Sequence, residues 1–354
     1  MSEFRINSIT NKDGSAGPQV CGVSTFSGKS GVQIPSGPTE FRRQDGGGRG
    51  RGIISGGRNL PSAGHIRAIE MIEIPTTGNA TDFGDLADTN TGGAGGSSST
   101  TRGFIIGGYD PDGTAHLTTM QYINLSSQGG ANLFGDLKSA NTAMAQGSNN
   151  TRGLLYGGND PNYISDIFQF NLQSLGTESE FGSVFENEPI RNATAVTSPT
   201  RAIFAGGQIA AGNSNIIAFR EIASGGIVFK FGELTYAANG HGGASSSTRG
   251  IFVGGQNAPT TVTHMDFITI ASEGNAQDFG NLTQARRNIT GNSNNIRATF
   301  AGGTTASSGT ANNVNIIDFV TISTTGDATD FGDLSTPKRL SNMGGSDSHG
   351  GLPQ

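Results

Sequence analysis

A pair of glycines closing a short apolar run recurs along this chain at an almost constant interval. It stands at Gly56-Gly57, Gly107-Gly108, Gly157-Gly158, Gly206-Gly207, Gly254-Gly255 and Gly302-Gly303, with a last echo at Gly350-Gly351. The interval shortens only from 51 to 48 residues along the series. A second anchor runs in phase: Phe83-Gly-Asp-Leu86, Phe134-Gly-Asp-Leu137, Phe181-Gly-Ser-Val184, Phe231-Gly-Glu-Leu234, Phe279-Gly-Asn-Leu282 and Phe331-Gly-Asp-Leu334. Between the two lies an alternating segment such as Asp266-Phe267-Ile268-Thr269-Ile270, the period-2 pattern of a pleated strand. Repeats of this size mark a propeller or another array of repeated units.

Each unit reads as four short strands. Strand A is small and polar, B is the apolar run before the double glycine, C alternates, and D carries the Phe-Gly anchor. Turn sequences fill the gaps, and no stretch of 12 or more residues has an amphipathic helical pattern. Six anchors imply six blades. The first repeat begins at strand B, Arg51-Gly52-Ile53-Ile54, and the segment Leu340–His349 matches strand A. One blade is therefore expected to take its strand A from the C-terminal end, which hides the edges of an open sheet. The expected fold is all-β: a six-bladed kelch-like β-propeller over 46–354, with an extended N-terminal arm over 1–45.

Composition narrows the function classes. Glycine accounts for 57 of 354 residues, but not at every third position, so the chain is not collagen-like. A formal net charge of −6 argues against nucleic acid as a partner. No run of 18 apolar residues exists to cross a membrane as a helix. The single cysteine, Cys21, allows no intrachain disulfide and has no histidine within forty residues to act as its base.

The repeat resembles the kelch family of propellers over about residues 46–354: an apolar run ending in Gly-Gly, a strand C, then an aromatic strand D with a polar linker that often holds arginine (Arg191, Arg287, Arg339). Kelch repeats usually carry tryptophan where this chain has phenylalanine, so the resemblance implies architecture rather than activity. Residues 1–45 are a different kind of sequence. Gly22-Val-Ser-Thr-Phe-Ser-Gly and Val32-Gln-Ile-Pro-Ser-Gly-Pro-Thr-Glu are similar to the N-terminal arms of tail-fibre and other virion structural proteins of marine phages, cyanophages especially. The resemblance implies a virion protein, assembled in the host cytoplasm and present in multiple copies, that meets other virion proteins through residues 1–45. Val20, Val23, Phe26, Val32, Ile34 and Phe41 are the arm's candidate docking residues. At about 3.3 Å per residue an extended arm of this length reaches well over 100 Å.

Candidate sites in the propeller fall on its most variable part, the B–C loops. Tyr109, Asp110 and Asp112 in one loop, with Asp160 and Tyr163 in the next, are turn sequences that could also hold a host-surface glycan or calcium. His65, His116 and His264 also lie in this region but in separate blades, and are not expected to converge. The arginine opening every strand B (Arg51, Arg102, Arg152, Arg201, Arg249, Arg297) is expected to be structural, bridging to the acid of the Phe-Gly anchor at Asp85, Asp136, Glu233 or Asp333. The double glycines lack the lysine and helix of a phosphate loop. No catalytic constellation and no cofactor is expected. The reading is a virion structural protein, not an enzyme. A carbohydrate-binding recognition module is the alternative, and a glycan-degrading enzyme the third.

Overall fold

The computed structural model describes residues 50–59, 64–87, 93, 95–110, 115–306, 312–340 and 343–352. The docking residues expected in the arm (Val20, Val23, Phe26, Val32, Ile34 and Phe41) and Asp112 lie outside the described residues. The described part is an all-β propeller of six four-stranded antiparallel blades. In the order A, B, C, D, blade 1 is Met343–Ser346, Arg51–Ser55, Ala68–Glu73 and Thr81–Asp85. Blade 2 is Gly95–Ser98, Arg102–Ile106, Thr119–Asn124 and Asn132–Asp136; blade 3 is Ala145–Ser148, Arg152–Tyr156, Asp166–Asn171 and Ser179–Ser183. Blade 4 is Thr194–Thr197, Arg201–Ala205, Ile216–Glu221 and Phe229–Glu233; blade 5 is Gly242–Ser245, Arg249–Val253, His264–Thr269 and Gln277–Asn281. Blade 6 is Thr290–Ser293, Arg297–Ala301, Ile316–Thr321 and Thr329–Asp333. Blade 1 closes the ring as expected, with Gly52 opposite Ser346 and Ser55 opposite Met343. The Gly350-Gly351 echo starts no further blade.

The two sequence anchors have mechanical roles. In every blade the Phe of the Phe-Gly anchor is a bulge. In blade 1, for example, Ile69 faces Gly84 and Glu70 faces Asp82, skipping Phe83. The extra residue turns the ring inward, and all six anchor phenylalanines are buried. The glycine beside it, at φ +150° in Gly84, lets the bulge meet the C–D turn of the next blade, whose Gly129 N–H donates to the Phe83 carbonyl at 2.9 Å. A Cβ on Gly84 would lie 2.5 Å from the Gly129 oxygen. The same contact from Phe331 to Gly78 closes the circle at 2.8 Å. The double glycines turn strand B away from the sheet in the left-handed region, which glycine enters without steric cost. Gly107 at φ +62° would place a Cβ 2.2 Å from the Asn141 carbonyl.

Strands A surround the axis, each touching the next. A belt of hydroxyls joins them: the Ser148 Oγ donates to the Ser98 carbonyl at 2.8 Å, Ser98 to Ser346, Ser346 to Ser293, Ser293 to Ser245 and Ser245 to Thr197. The C-terminal tail lies across this belt. The Gly350 N–H donates to the Ser245 carbonyl at 2.9 Å, and the His349 Nε2 meets the Ser98 carbonyl at 2.8 Å. Burial holds the His349 imidazole down to about pKa 4, so it sits there neutral.

Candidate functional site

The A–B and C–D turns lie at one face of the ring, the B–C loops and D–A connections at the other. The strand-B arginines mark the first face, and their partners differ from expectation. Each reaches a backbone carbonyl at the end of strand C in the next blade: Arg51 to Leu125, Arg102 to Leu172, Arg152 to Ile222, Arg201 to Ile270, Arg249 to Ile322 and Arg297 to Ile74. Each guanidinium also lies over an aromatic ring of its own blade, from 4.4 Å for Arg249 on Phe267 to 6.0 Å for Arg51 on Phe83. The acids nearest them are strand-C glutamates, Glu221 at 2.7 Å from Arg201 and Glu73 at 3.8 Å from Arg51, rather than the anchor acids. The role is structural, and the partner is the neighbouring blade's backbone, where Nη1 meets one carbonyl in Arg51 and Arg249 and two successive carbonyls in Arg102, Arg152, Arg201 and Arg297.

The opposite face carries the candidate binding residues. Each B–C loop folds back so that the residue after the double glycine pairs within the loop, as in the hairpins of Gln208–Ile209 with Gly212–Asn213 and Gln256–Asn257 with Thr260–Thr261. That residue also bridges to a D–A connection, as Arg58 does with Arg339 and Gln208 with Arg191. At the axis, residues in the left-handed region form a backbone circle. The Ala143 N–H donates to Gly93, Asn192 to Ala143, Gly240 to Asn192 and Asn288 to Gly240, and Gly93 donates to Leu340, over 2.7–3.2 Å. These connections present the loops from a stiff collar.

Three blades contribute to one polar–aromatic line. The Arg58 guanidinium of blade 1 lies 5.5 Å from the Tyr109 ring centre. Tyr109 meets His116 edge-on at 5.1 Å within the blade 2 loop, and the His116 Nδ1 is 3.1 Å from the Asp160 Oδ1 of blade 3. Tyr163 is held separately, under the Arg191 guanidinium at 4.5 Å, while Arg191 binds the Gln208 side chain. Asp110 serves its own loop: its N–H and its carboxylate bond the Ala115 carbonyl and N–H at 3.0 and 3.1 Å. So Tyr109 and Asp160 are brought together through His116, Tyr163 stands beside them, and Asp110 shapes the turn. The loop pattern alone marked neither Arg58 nor His116 as members. Their positions, directly after the double glycine of blade 1 and at the far end of the blade 2 loop, carried the only signal.

A hydroxyl, an imidazole and a carboxylate also meet between blades 4 and 5. The Thr235 Oγ1 lies 2.8 Å from the Asp266 Oδ1 and 2.9 Å from the His264 Nε2, which is itself 3.1 Å from Asp266. Burial raises the Asp266 carboxyl, against the Thr235 bonds and the His264 ring that favour its charge. Burial, with the nearby Asp266 charge, pushes the Tyr236 phenol well above its usual range. This is a clamp rather than a nucleophile and base. The Thr235 N–H and O–H are both spent on Asp266, and Thr283 does the same to Asp318 in the next seam with no histidine present. His116 and His264 have separate partners, and among the described residues no three of His, Cys, Asp and Glu are grouped to hold a metal.

No protein-family model matches this chain. No curated protein matches it either.

Proposed function

We propose that this protein is a structural component of a virion, held to the particle by residues 1–45 and presenting the B–C loop face of its propeller for recognition. The observation that carries the recognition half is the Arg58–Tyr109–His116–Asp160 line. Side chains from three blades are pre-ordered there by contacts with one another, on loops stiffened by bridges to the D–A connections. Variable loops on a repeated scaffold are where binding specificity is ordinarily carried. What supports the attachment half is the arm's sequence, rich in Gly, Ser, Thr and Pro with spaced apolar residues, and its similarity to phage virion arms. The buried acids and strand-B arginines described above serve contacts between blades, which favours a scaffold over a catalyst.

A carbohydrate-recognition module is the second reading. Tyr109 and Tyr163, beside Asp160, supply the mixture of aromatic and polar edges that sugars engage. Mass spectrometry of purified particles should find the intact chain, and a form lacking residues 1–45 should fold but stay out of particles. Incorporation of that truncated form at the normal level removes the attachment role. A glycan array that responds to the intact chain but not to Tyr109→Ala assigns the loop face to sugar.

A further inference from the structure

The D–A connection of blade 3 departs from the repeat. Gly240, Asn288 and Leu340 lie six positions after Leu234, Leu282 and Leu334, whereas Asn192 lies eight positions after Val184. The additional length forms a tight left-handed turn at Phe185–Asn187, in which Glu186 and Asn187 take φ +53° and +55°. Left-handed backbone costs such residues roughly 1–2 kcal/mol each, so the surroundings must hold it in place. They do so through the Asn187 N–H to the Val184 carbonyl at 3.0 Å, the Glu188 N–H to the Phe185 carbonyl at 3.2 Å, and the Phe185 N–H to the Tyr156 hydroxyl at 3.4 Å.

Behind this turn a cavity of about 330 Å³ opens between blades 3 and 4. Tyr156, Phe185, Phe204 and Ile216 form much of its wall, and Glu186, Glu188 and Lys230 stand among its lining residues. The Tyr156 and Phe204 rings are stacked at 4.2 Å and 10°. The aromatic wall is particular to this seam: the residues matching Tyr156 in the other blades are Ser55, Ile106, Ala205, Val253 and Ala301. Lys230 is paired with Glu233 at 2.7 Å, which leaves Glu186 and Glu188 as the excess charge at the rim.

We propose that this cavity binds a small organic cation with an apolar body, an aryl-alkyl or branched alkyl ammonium. The apolar body lies against the Tyr156 and Phe204 side of the cavity, and the charged head meets the two glutamates. Few polar groups at the edge of an apolar concavity are the usual composition of a small-molecule site. Aromatic faces add attraction for a cation, whereas two carboxylates at the entrance oppose an anion. The strained turn is what fixes both glutamates there.

The test is calorimetric titration of the full chain at low ionic strength with phenethylammonium chloride, sodium phenylacetate and 2-phenylethanol. Phenethylammonium should bind at one site and more tightly than the other two. The double variant E186Q/E188Q changes only exposed groups, so its melting temperature should match the parent. It should lose about fivefold in phenethylammonium affinity, the scale of charge contacts open to solvent, while binding of 2-phenylethanol stays unchanged. Ile209→Trp, which fills the cavity from its loop side, should weaken both ligands. Phenethylammonium binding that is absent at millimolar concentration, no tighter than phenylacetate, or indifferent to E186Q/E188Q overturns the proposal.

Discussion

The seam between blades 5 and 6 and the seam between blades 3 and 4 fill the same slot with opposite chemistry. In the first, Arg286 from a D–A connection meets Asp318 on strand C at 3.0 Å, with both side chains fully buried. Lys338 and Glu70 repeat that arrangement between blades 6 and 1. In the second, the matching positions are Ile190 and Ala218, within one apolar cluster that includes Tyr156 and Phe204. The backbone frame is common to all: the Gly255 N–H meets the Arg286 carbonyl as the Gly158 N–H meets that of Ile190. The propeller frame therefore asks of a seam only that it be filled, since the Nε and Nη1 of Arg286 stay without hydrogen-bond partners while its Nη2 meets Asp318. A buried ion pair and an apolar pair both meet that condition, because desolvation offsets most of the pair's attraction.

The strongest way to break this comparison is to remove one charge. Asp318→Ala leaves Arg286 buried and ionised, although burial already holds its guanidinium below the usual range. The expected loss is roughly 3–5 kcal/mol in guanidinium denaturation. Adding Arg286→Ile copies the blade 3–4 pair into the blade 5–6 seam and should recover part of that loss, the remainder being the Thr283 N–H and O–H that no longer meet Asp318. If the double variant is as weak as the single one, the two seams are not interchangeable.

A pH titration sharpens the comparison at a third kind of seam. His241, beside Gly206 and Gly255, occupies the position of Met144 and Ile289 in other blades. Burial holds its pKa down to about 4, as it does for His349. Both are neutral in the fold, whereas the unfolded chain takes up protons near pH 6.5. Their contribution is intact above pH 6.5 and is lost as pH falls from there towards 4, on the order of 3 kcal/mol per histidine. His241→Met should cancel its share; an unchanged difference in melting temperature between pH 7 and pH 4.5 would count against the assignment.

The smallest effect is at the axial circle. Ala143 holds φ +57° where Gly93 and Gly240 hold the matching place. Relief of left-handed strain exceeds the entropy cost of glycine by little, so Ala143→Gly should stabilise by about 0.5 kcal/mol. A loss of stability at that position would show that the methyl group packs usefully.

The architecture was legible because two backbone demands recur in phase: the double glycine, where strand B turns beneath a carbonyl, and Phe-Gly, where strand D bulges. The partners across the seams were not. Arg102 reaches a backbone carbonyl 70 residues further on, and carbonyls leave no trace in residue identity. The His116–Asp160 contact joins loops 44 residues apart for the same topological reason, so Tyr109, His116 and Asp160 could each be placed in a loop without the contact that links them. The cavity behind Phe185 was not anticipated, although Val184 replaces the usual leucine and the connection that follows is two residues longer. Only the stacked rings made that irregularity a concavity.

Blade 1 is completed by Met343–Ser346, the last strand among the described residues, and this sets the order of events during synthesis. The B strand at Arg51–Ser55 pairs with Ala68–Glu73 early, but its other edge waits for Met343–Ser346. At about 5–20 residues per second, that edge stays open for roughly 15–60 s on the ribosome. For that interval one edge of Arg51–Ser55 lacks its blade partner, and an unpaired strand edge is a template for pairing with a neighbouring copy. Crowded translation of one message thus puts its products in competition: each chain either waits for its own closing strand or joins another's.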